Sequence, residues 1–132
     1  MRDVLVTRGP SGRVTEVRIK TGSGVRTLMS QDFRRALDLR STWFNLRVLN
    51  LQVQKGRALA SGGKPVALTG FVRSVAKVSL EAQVNGGAWR PVQRIRPRAN
   101  GRFTVTVRPT RTTSYRLATP SGAGAAVTVR AR

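Results

Sequence analysis

Short runs in which valine and other apolar residues recur at every second position, each closed by a Gly, Pro or Asn turn, constrain this chain more than any other feature. Val78, Leu80, Ala82 and Val84 alternate with Ser79, Glu81 and Gln83, while Phe103, Val105 and Val107 alternate with Arg102, Thr104, Thr106 and Arg108. A period of two puts one face of a strand into a core and the other into water, so these runs predict half-buried antiparallel strands. The same reading gives strands over Leu49 to Val53, Val66 to Thr69, Trp89 to Ile95, Ser114 to Ala118 and Ala126 to Val129. Hairpin turns are expected at Asn85-Gly86-Gly87, Asn100-Gly101 and Pro120-Ser121-Gly122. Short strands at this spacing predict a seven-stranded antiparallel immunoglobulin-like β-sandwich over residues 49–132.

The first fifty residues predict a small strand-strand-strand-helix-strand unit. Val4 to Thr7 and Arg13 to Lys20 flank a turn at Gly9-Pro10-Ser11-Gly12, and Gly22-Ser23-Gly24 leads into a third strand over Val25 to Met29. Ser30 is placed to cap a helix of about two turns, with Asp32 favourable near its positive end and Phe33, Ala36 and Leu37 on one face. A helix this short needs packing against the hairpin to persist. From Trp43 the period is again two, through Phe44, Leu46 and Val48, but the phase then slips to Leu49, Leu51 and Val53. A one-residue slip turns the other face inward, so the slip predicts either a bulge or a handover between two cores, with units over 1–48 and 49–132.

The 132 residues leave room for one ordinary domain or two small ones. Their 39% apolar content, rich in valine, is that of an ordered globule. There is no cysteine and no histidine, which removes disulfides, thiolate metal sites, cysteine nucleophiles and the usual zinc ligands and general base. No metal and no cofactor is therefore expected. No apolar stretch approaches the roughly 20 residues of a membrane span, and the N-terminus opens into a strand pattern rather than an export signal.

Twenty-five basic residues face five acidic ones, for a formal charge of +20. Such a field draws in polyanions. Residues 1–53 carry ten basic and four acidic side chains, a formal +6; residues 54–132 carry fifteen and one, a formal +14. Arg90, Arg94, Arg96 and Arg98 alternate along one expected strand and its exit, and predict a ridge able to meet phosphates or carboxylates, with a solvated polar face as the plainer account. Trp89 is read either as part of the core or its margin, or as an exposed platform for stacking a sugar.

Gly12-Arg13-Val14-Thr15-Glu16-Val17-Arg18-Ile19, followed by Asp32 to Phe44, resembles the closing part of the SpoIID/LytB family domain (sporulation stage II protein D and amidase enhancer). In that family a "GRV" strand and a short helix ending R-x-x-L-x-L-R-S-T precede a final aromatic strand; Arg34, Leu37, Leu39, Arg40, Ser41, Thr42 and Phe44 fall in register with it. The resemblance covers residues 1–48. It implies a peptidoglycan substrate, since the sporulation branch comprises lytic transglycosylases and the LytB branch is named for stimulating amidases. It also implies a secreted or cell-wall location. The family's catalytic glutamate belongs to a segment upstream of the matching part, and no residue of this chain matches it. The second half is similar to immunoglobulin-like modules of bacterial surface proteins, through Val66 to Val72, Trp89 to Val92, Gly101 to Val105 and Thr113 to Arg116.

General-acid work needs a carboxyl held protonated by its surroundings, whereas Glu16, Asp32 and Asp38 stand among arginines and are assigned structural roles. Arg34, Arg40, Ser41 and Thr42 are candidates to line the edge of a glycan groove, or else to satisfy backbone groups at the helix-to-strand turn. The leading expectation is a non-catalytic wall-associated fragment that binds peptidoglycan or an anionic wall polymer, or serves as a spacer. A nucleic-acid-binding protein and a part of a glycan-cleaving enzyme or amidase enhancer are the alternatives. The scattered arginines and the absence of an aromatic series weigh against nucleic acid.

Overall fold

The computed structural model describes residues 3–54, 59–60 and 63–131. The chain is mainly β and divides into two compact units, Met1–Val48 and Leu49–Arg132.

In the first unit β1 (Asp3–Arg8), β2 (Val14–Thr21) and β3 (Gly24–Met29) form an antiparallel meander followed by a helix, α1 (Ser30–Ala36). The first turn closes with the Gly12 amide donating to the Gly9 carbonyl at 2.9 Å, and the β1–β2 register slips between Thr7 and Arg8. The buried apolar side chains of this sheet are Val4, Val14 and Val17. Val25, Met29, Leu37 and Trp43 are exposed, so the sheet covers itself thinly.

The helix departs from the expectation at its start. Met29, not Ser30, is the N-cap, with no side-chain hydrogen bond to the first turn; Ser30 is the first helical residue and is buried. Its end is better defined. Asp38 takes a left-handed φ of 51°, the Leu39 amide donates to the Arg34 carbonyl at 2.9 Å and the Asp38 amide to Arg35 at 3.2 Å, which is a Schellman ending with aspartate where glycine is usual. Of the three residues expected on one face, Phe33 is half-buried and stacks on Phe44 at 5.4 Å, whereas Ala36 and Leu37 are exposed.

The strand expected from Trp43 does not form. Phe44, Leu46 and Val48 are indeed more buried than Trp43, Asn45 and Arg47, but residues 43–47 join no ladder. The Arg8 guanidinium holds this stretch instead. It donates to the Phe44 carbonyl at 2.8 Å, to Asn45 Oδ1 at 2.6 Å and to the Gly12 carbonyl at 2.8 Å, satisfying from a side chain what a neighbouring strand supplies elsewhere.

The second unit is the expected sandwich. One sheet orders β4 (Val48–Val53), β6 (Val66–Arg73) and β9 (Arg102–Val107). The other orders β5 (Leu59–Ala60), β12 (Val127–Ala131), β10 (Thr113–Thr119), β7 (Val78–Val84) and β8 (Arg90–Ile95), with β11 (Gly122–Ala123) paired to β10. The β6–β9, β7–β8, β7–β10, β10–β11 and β10–β12 pairs are antiparallel, whereas β12 and β5 run parallel, with Arg130 meeting Leu59. Each of the seven main strands sends at least one side chain into the core: Leu51, Leu68, Leu80, Ile95, Phe103, Leu117 and Val129 among them. Burying one such side chain is worth about 1.5–3 kcal/mol, and this cluster supplies the sandwich's driving force.

The turns follow their sequence chemistry. Asn85 and Gly86 both have positive φ, 47° and 75°, and the Gly87 amide donates to the Val84 carbonyl at 2.9 Å, a turn geometry that suits strand twist, at the start of the 85–89 connection between β7 and β8. Asn100-Gly101 is a turn but not a hairpin: it carries the chain from β8 in one sheet to β9 in the other. Gly70 faces Phe103 across the β6–β9 ladder, and a side chain there would run into the Phe103 ring and the Asn50 carbonyl.

Candidate anion-binding surface

In the first unit, three of the four residues singled out as groove-lining, Arg34, Ser41 and Thr42, are engaged in holding the chain. Arg34 donates from Nε to Gln31 Oε1 at 3.1 Å and from a terminal nitrogen to the Leu39 carbonyl at 3.2 Å, bracing the helix end. Ser41 Oγ accepts the Trp43 amide at 2.9 Å, and buried Thr42 offers its carbonyl to the Val14 amide at 3.0 Å. Arg40 is exposed. Glu16 lies 2.8 Å from Arg18 Nε, an ion pair between two residues on the same face of the central strand β2.

In the sandwich, the strand faces sort the charges. The inward residues of β7 are Val78, Leu80 and Ala82, and those of β10 are Tyr115 and Leu117; Glu81 and Arg116 therefore pair on the solvent face, where the register sets them opposite each other. Arg116 Nε donates to Glu81 Oε2 at 2.8 Å. The guanidinium carbon of Arg116 sits 4.2 Å from the centre of the Trp89 ring, a cation–π stack. Trp89 thus lies outside the core, half-buried on the outer face of the sheet, with Arg116 covering one face of its ring. The Gln83 amide donating to the Gly87 carbonyl at 2.7 Å helps fold the hairpin end onto that face.

The single ridge expected of Arg90, Arg94, Arg96 and Arg98 is broken up by a bulge. Opposite Leu80 and Glu81 stand Gln93 and Pro91, so Val92 is an extra residue on β8. The extra residue reverses the phase. Arg94 pairs with Ser79 and takes the solvent face, while Arg90 pairs with Ala82 and takes the opposite one. The strand ends at Ile95, leaving Arg96 beyond it and Arg98 in the turn that leads to β9. All four arginines are exposed, but Arg90 and Arg94 take opposite faces of β8 and Arg96 and Arg98 lie beyond its end.

A groove of about 740 Å³ opens at the lateral edge of the sandwich, beside β8 and the end of β9. Ala82, Val84, Val92, Val107 and Tyr115 line it with apolar surface, and Arg108 and Arg111 stand at it as cations. Desolvation by burial raises the Tyr115 phenol above its ordinary value, partly offset by its hydrogen bond with Thr113. Sequence reasoning missed this groove because it is formed by strands far apart in the chain. Pro91 was the available signal, since proline inside a strand marks an edge.

Among the described residues no group of three or more acidic, histidine or cysteine side chains could hold a metal, and no helix is long and apolar enough to cross a membrane. What the sandwich offers chemically is fixed positive charge. Glu81 is the single acid in residues 49–132, against fifteen cations, and it is bound to Arg116. No family model, no curated protein and no solved structure matches this chain.

Proposed function

We propose that this chain is a non-catalytic module that holds a protein to a bacterial cell wall, its sandwich binding the carboxylates or phosphates of peptidoglycan and associated anionic polymers. The observation that carries the reading is the uncompensated field of the sandwich: fifteen cations against one acid, itself neutralised by Arg116 at 2.8 Å. Arginine forks suit planar oxyanions, and exposed ones on several sides suit a mesh of polymer better than a single small ligand. The wall rather than another polyanion is favoured by the resemblance of residues 12–44 to the closing part of the SpoIID/LytB domain. The acids of the first unit support a structural role, with Glu16 tied to Arg18 and Asp38 shaping the helix end.

The test is co-sedimentation with intact and teichoic-acid-stripped sacculi, run beside duplex DNA at about 0.15 M salt, where exposed charge pairs are largely screened. Retention on stripped sacculi with loss from DNA is the expected result. Equal retention on DNA, or release from both wall preparations, overturns the wall reading in favour of generic polyanion attraction.

A further inference from the structure

The end of β9 and the lateral groove beside it form a second kind of surface, distinct from the diffuse basic field. Among the described residues β9 pairs only with β6, so its other edge is open. Ladder geometry fixes which backbone groups face that edge. The Gly101 carbonyl bonds toward β6, accepting the Val72 amide at 2.9 Å, whereas the Arg102 carbonyl accepts the Arg98 amide at 2.9 Å and its amide meets Asn100 Oδ1 at 3.0 Å. Since direction alternates along an antiparallel strand, Thr104 and Thr106 turn their N–H and C=O groups to the open side. The turn at residues 98–101 caps the start of the edge and leaves its second half free.

The two edge strands of this opening are not equivalent. β8 carries Pro91, which has no amide to donate, and a bulge at Val92, both of which blunt an edge. β9 has neither proline nor bulge, and its register with β6 runs unbroken from Val66–Val107 to Phe71–Arg102. A strand laid beside it places alternate side chains level with Val105 and Val107, on the groove side, where Ala82, Val84, Val92 and Tyr115 offer apolar surface. Its other side chains fall level with Thr104 and Thr106, on the exposed face that Arg102 and Arg108 bracket. The charge selects the partner. A second copy of this chain, itself at +20, is repelled.

We infer that the free edge of β9 takes up an extended acidic peptide as an added strand, its apolar residues entering the groove and its carboxylates meeting Arg102 and Arg108. Main-chain pairing supplies affinity in such strand addition, and the alternate-side-chain pockets supply selectivity. This inference does not rest on the wall reading, and neither outcome of the sacculus experiment decides it.

The probe is a fluorescein-labelled peptide of about ten residues in which valine alternates with glutamate, long enough to span one strand. Binding to the full chain is followed by fluorescence anisotropy at about 0.15 M salt, so that charge alone is largely screened. Three comparison peptides accompany it: the same composition with the alternation scrambled, the same sequence N-methylated on the residues that pair, and lysine in place of glutamate. Each is expected to bind at least roughly tenfold more weakly. R102Q/R108Q and Val92→Glu in the protein are expected to weaken the parent peptide comparably; these positions are exposed, so folding is checked by the unchanged melting of each variant. Hydrogen exchange is expected to slow at Thr104 and Thr106 on binding. Equal affinity for the scrambled or N-methylated peptide, no binding of the parent peptide, or protection at β8 without β9 overturns the inference.

Discussion

Gly70→Ala tests the packing of the sandwich by the sign of its effect. At a position with room for a methyl group, replacing glycine by alanine stabilises a protein by about 0.4–1 kcal/mol, because the unfolded chain loses freedom. Here the new Cβ runs into the Phe103 ring, whose Cε1 is 2.6 Å away and whose Cζ is closer still, and as closely into the Asn50 carbonyl oxygen. The ring can rotate, but the carbonyl belongs to β4, which cannot retreat without losing its place beside β6. Overpacking of this kind costs about 1–3 kcal/mol, enough to reverse the sign. For a domain of this size each kcal/mol moves the melting temperature by about 4–8 °C. Thermal and urea unfolding followed by Trp89 fluorescence in a Trp43→Phe background reads the second unit alone, since Trp43 belongs to the first. Gly70→Ala is expected to melt below the parent by roughly 5–15 °C. Adding Phe103→Leu, which vacates part of the contested space, is expected to cost less than the two changes summed, the non-additivity of touching residues. Gly86→Ala, where nothing lies within 4 Å and only the φ of 75° resists, serves as the control for backbone strain alone. A Gly70→Ala variant as stable as the parent, or more so, refutes the packing described for β4, β6 and β9.

Asp38→Gly is expected to stabilise the first unit by a few tenths to about 1 kcal/mol, because it relieves a left-handed residue and removes an anion from the negative helix end; Trp43 fluorescence on denaturation measures it. Glu81→Gln is expected to cost the sandwich about 1 kcal/mol and to alter Trp89 emission through the freed Arg116, whereas unchanged emission contradicts the stack. Tyr115 titrates above the ordinary value of 10.0 because burial disfavours the phenolate. The folded protein therefore holds this proton where the unfolded chain has lost it, so the contribution is complete below about pH 10 and is lost as pH rises through the folded value. Tyr115→Phe is expected to flatten the alkaline decline in stability, measured by urea unfolding across that range.

The strands that follow one buried face were legible because a period of two survives in Val78 to Val84 and Phe103 to Val107 whatever else surrounds them. The positive-φ hairpin at Asn85-Gly86 was equally readable, since the residues that tolerate that backbone are few. What escaped depends on distant partners. Residues 43–47 keep the alternation of a strand, yet the Phe44 carbonyl and the Asn45 side chain accept from Arg8, 36 and 37 positions away, and no local pattern announces that. β5 and β11 are two residues each and exist only where β12 and β10 meet them. The bulge at Val92 shifts Arg90 and Arg94 to opposite faces without any glycine to mark it, which is why a single arginine ridge was expected. Trp89 could not be placed from its neighbours in sequence because Arg116, its stacking partner, lies on a different strand.

The central claim is that the sandwich's arginines hold anionic wall polymer. The measurement that bears on it most directly compares binding to teichoic-acid-free peptidoglycan, at about 0.15 M salt, for the parent chain and for two variants of equal charge loss. One replaces Arg90, Arg94, Arg96 and Arg98 by glutamine, and the other replaces Arg13, Arg18, Arg26 and Arg35 in the first unit; all eight are exposed. A large loss confined to the sandwich variant is the predicted result. Equal losses in both, or none in either, contradict the claim.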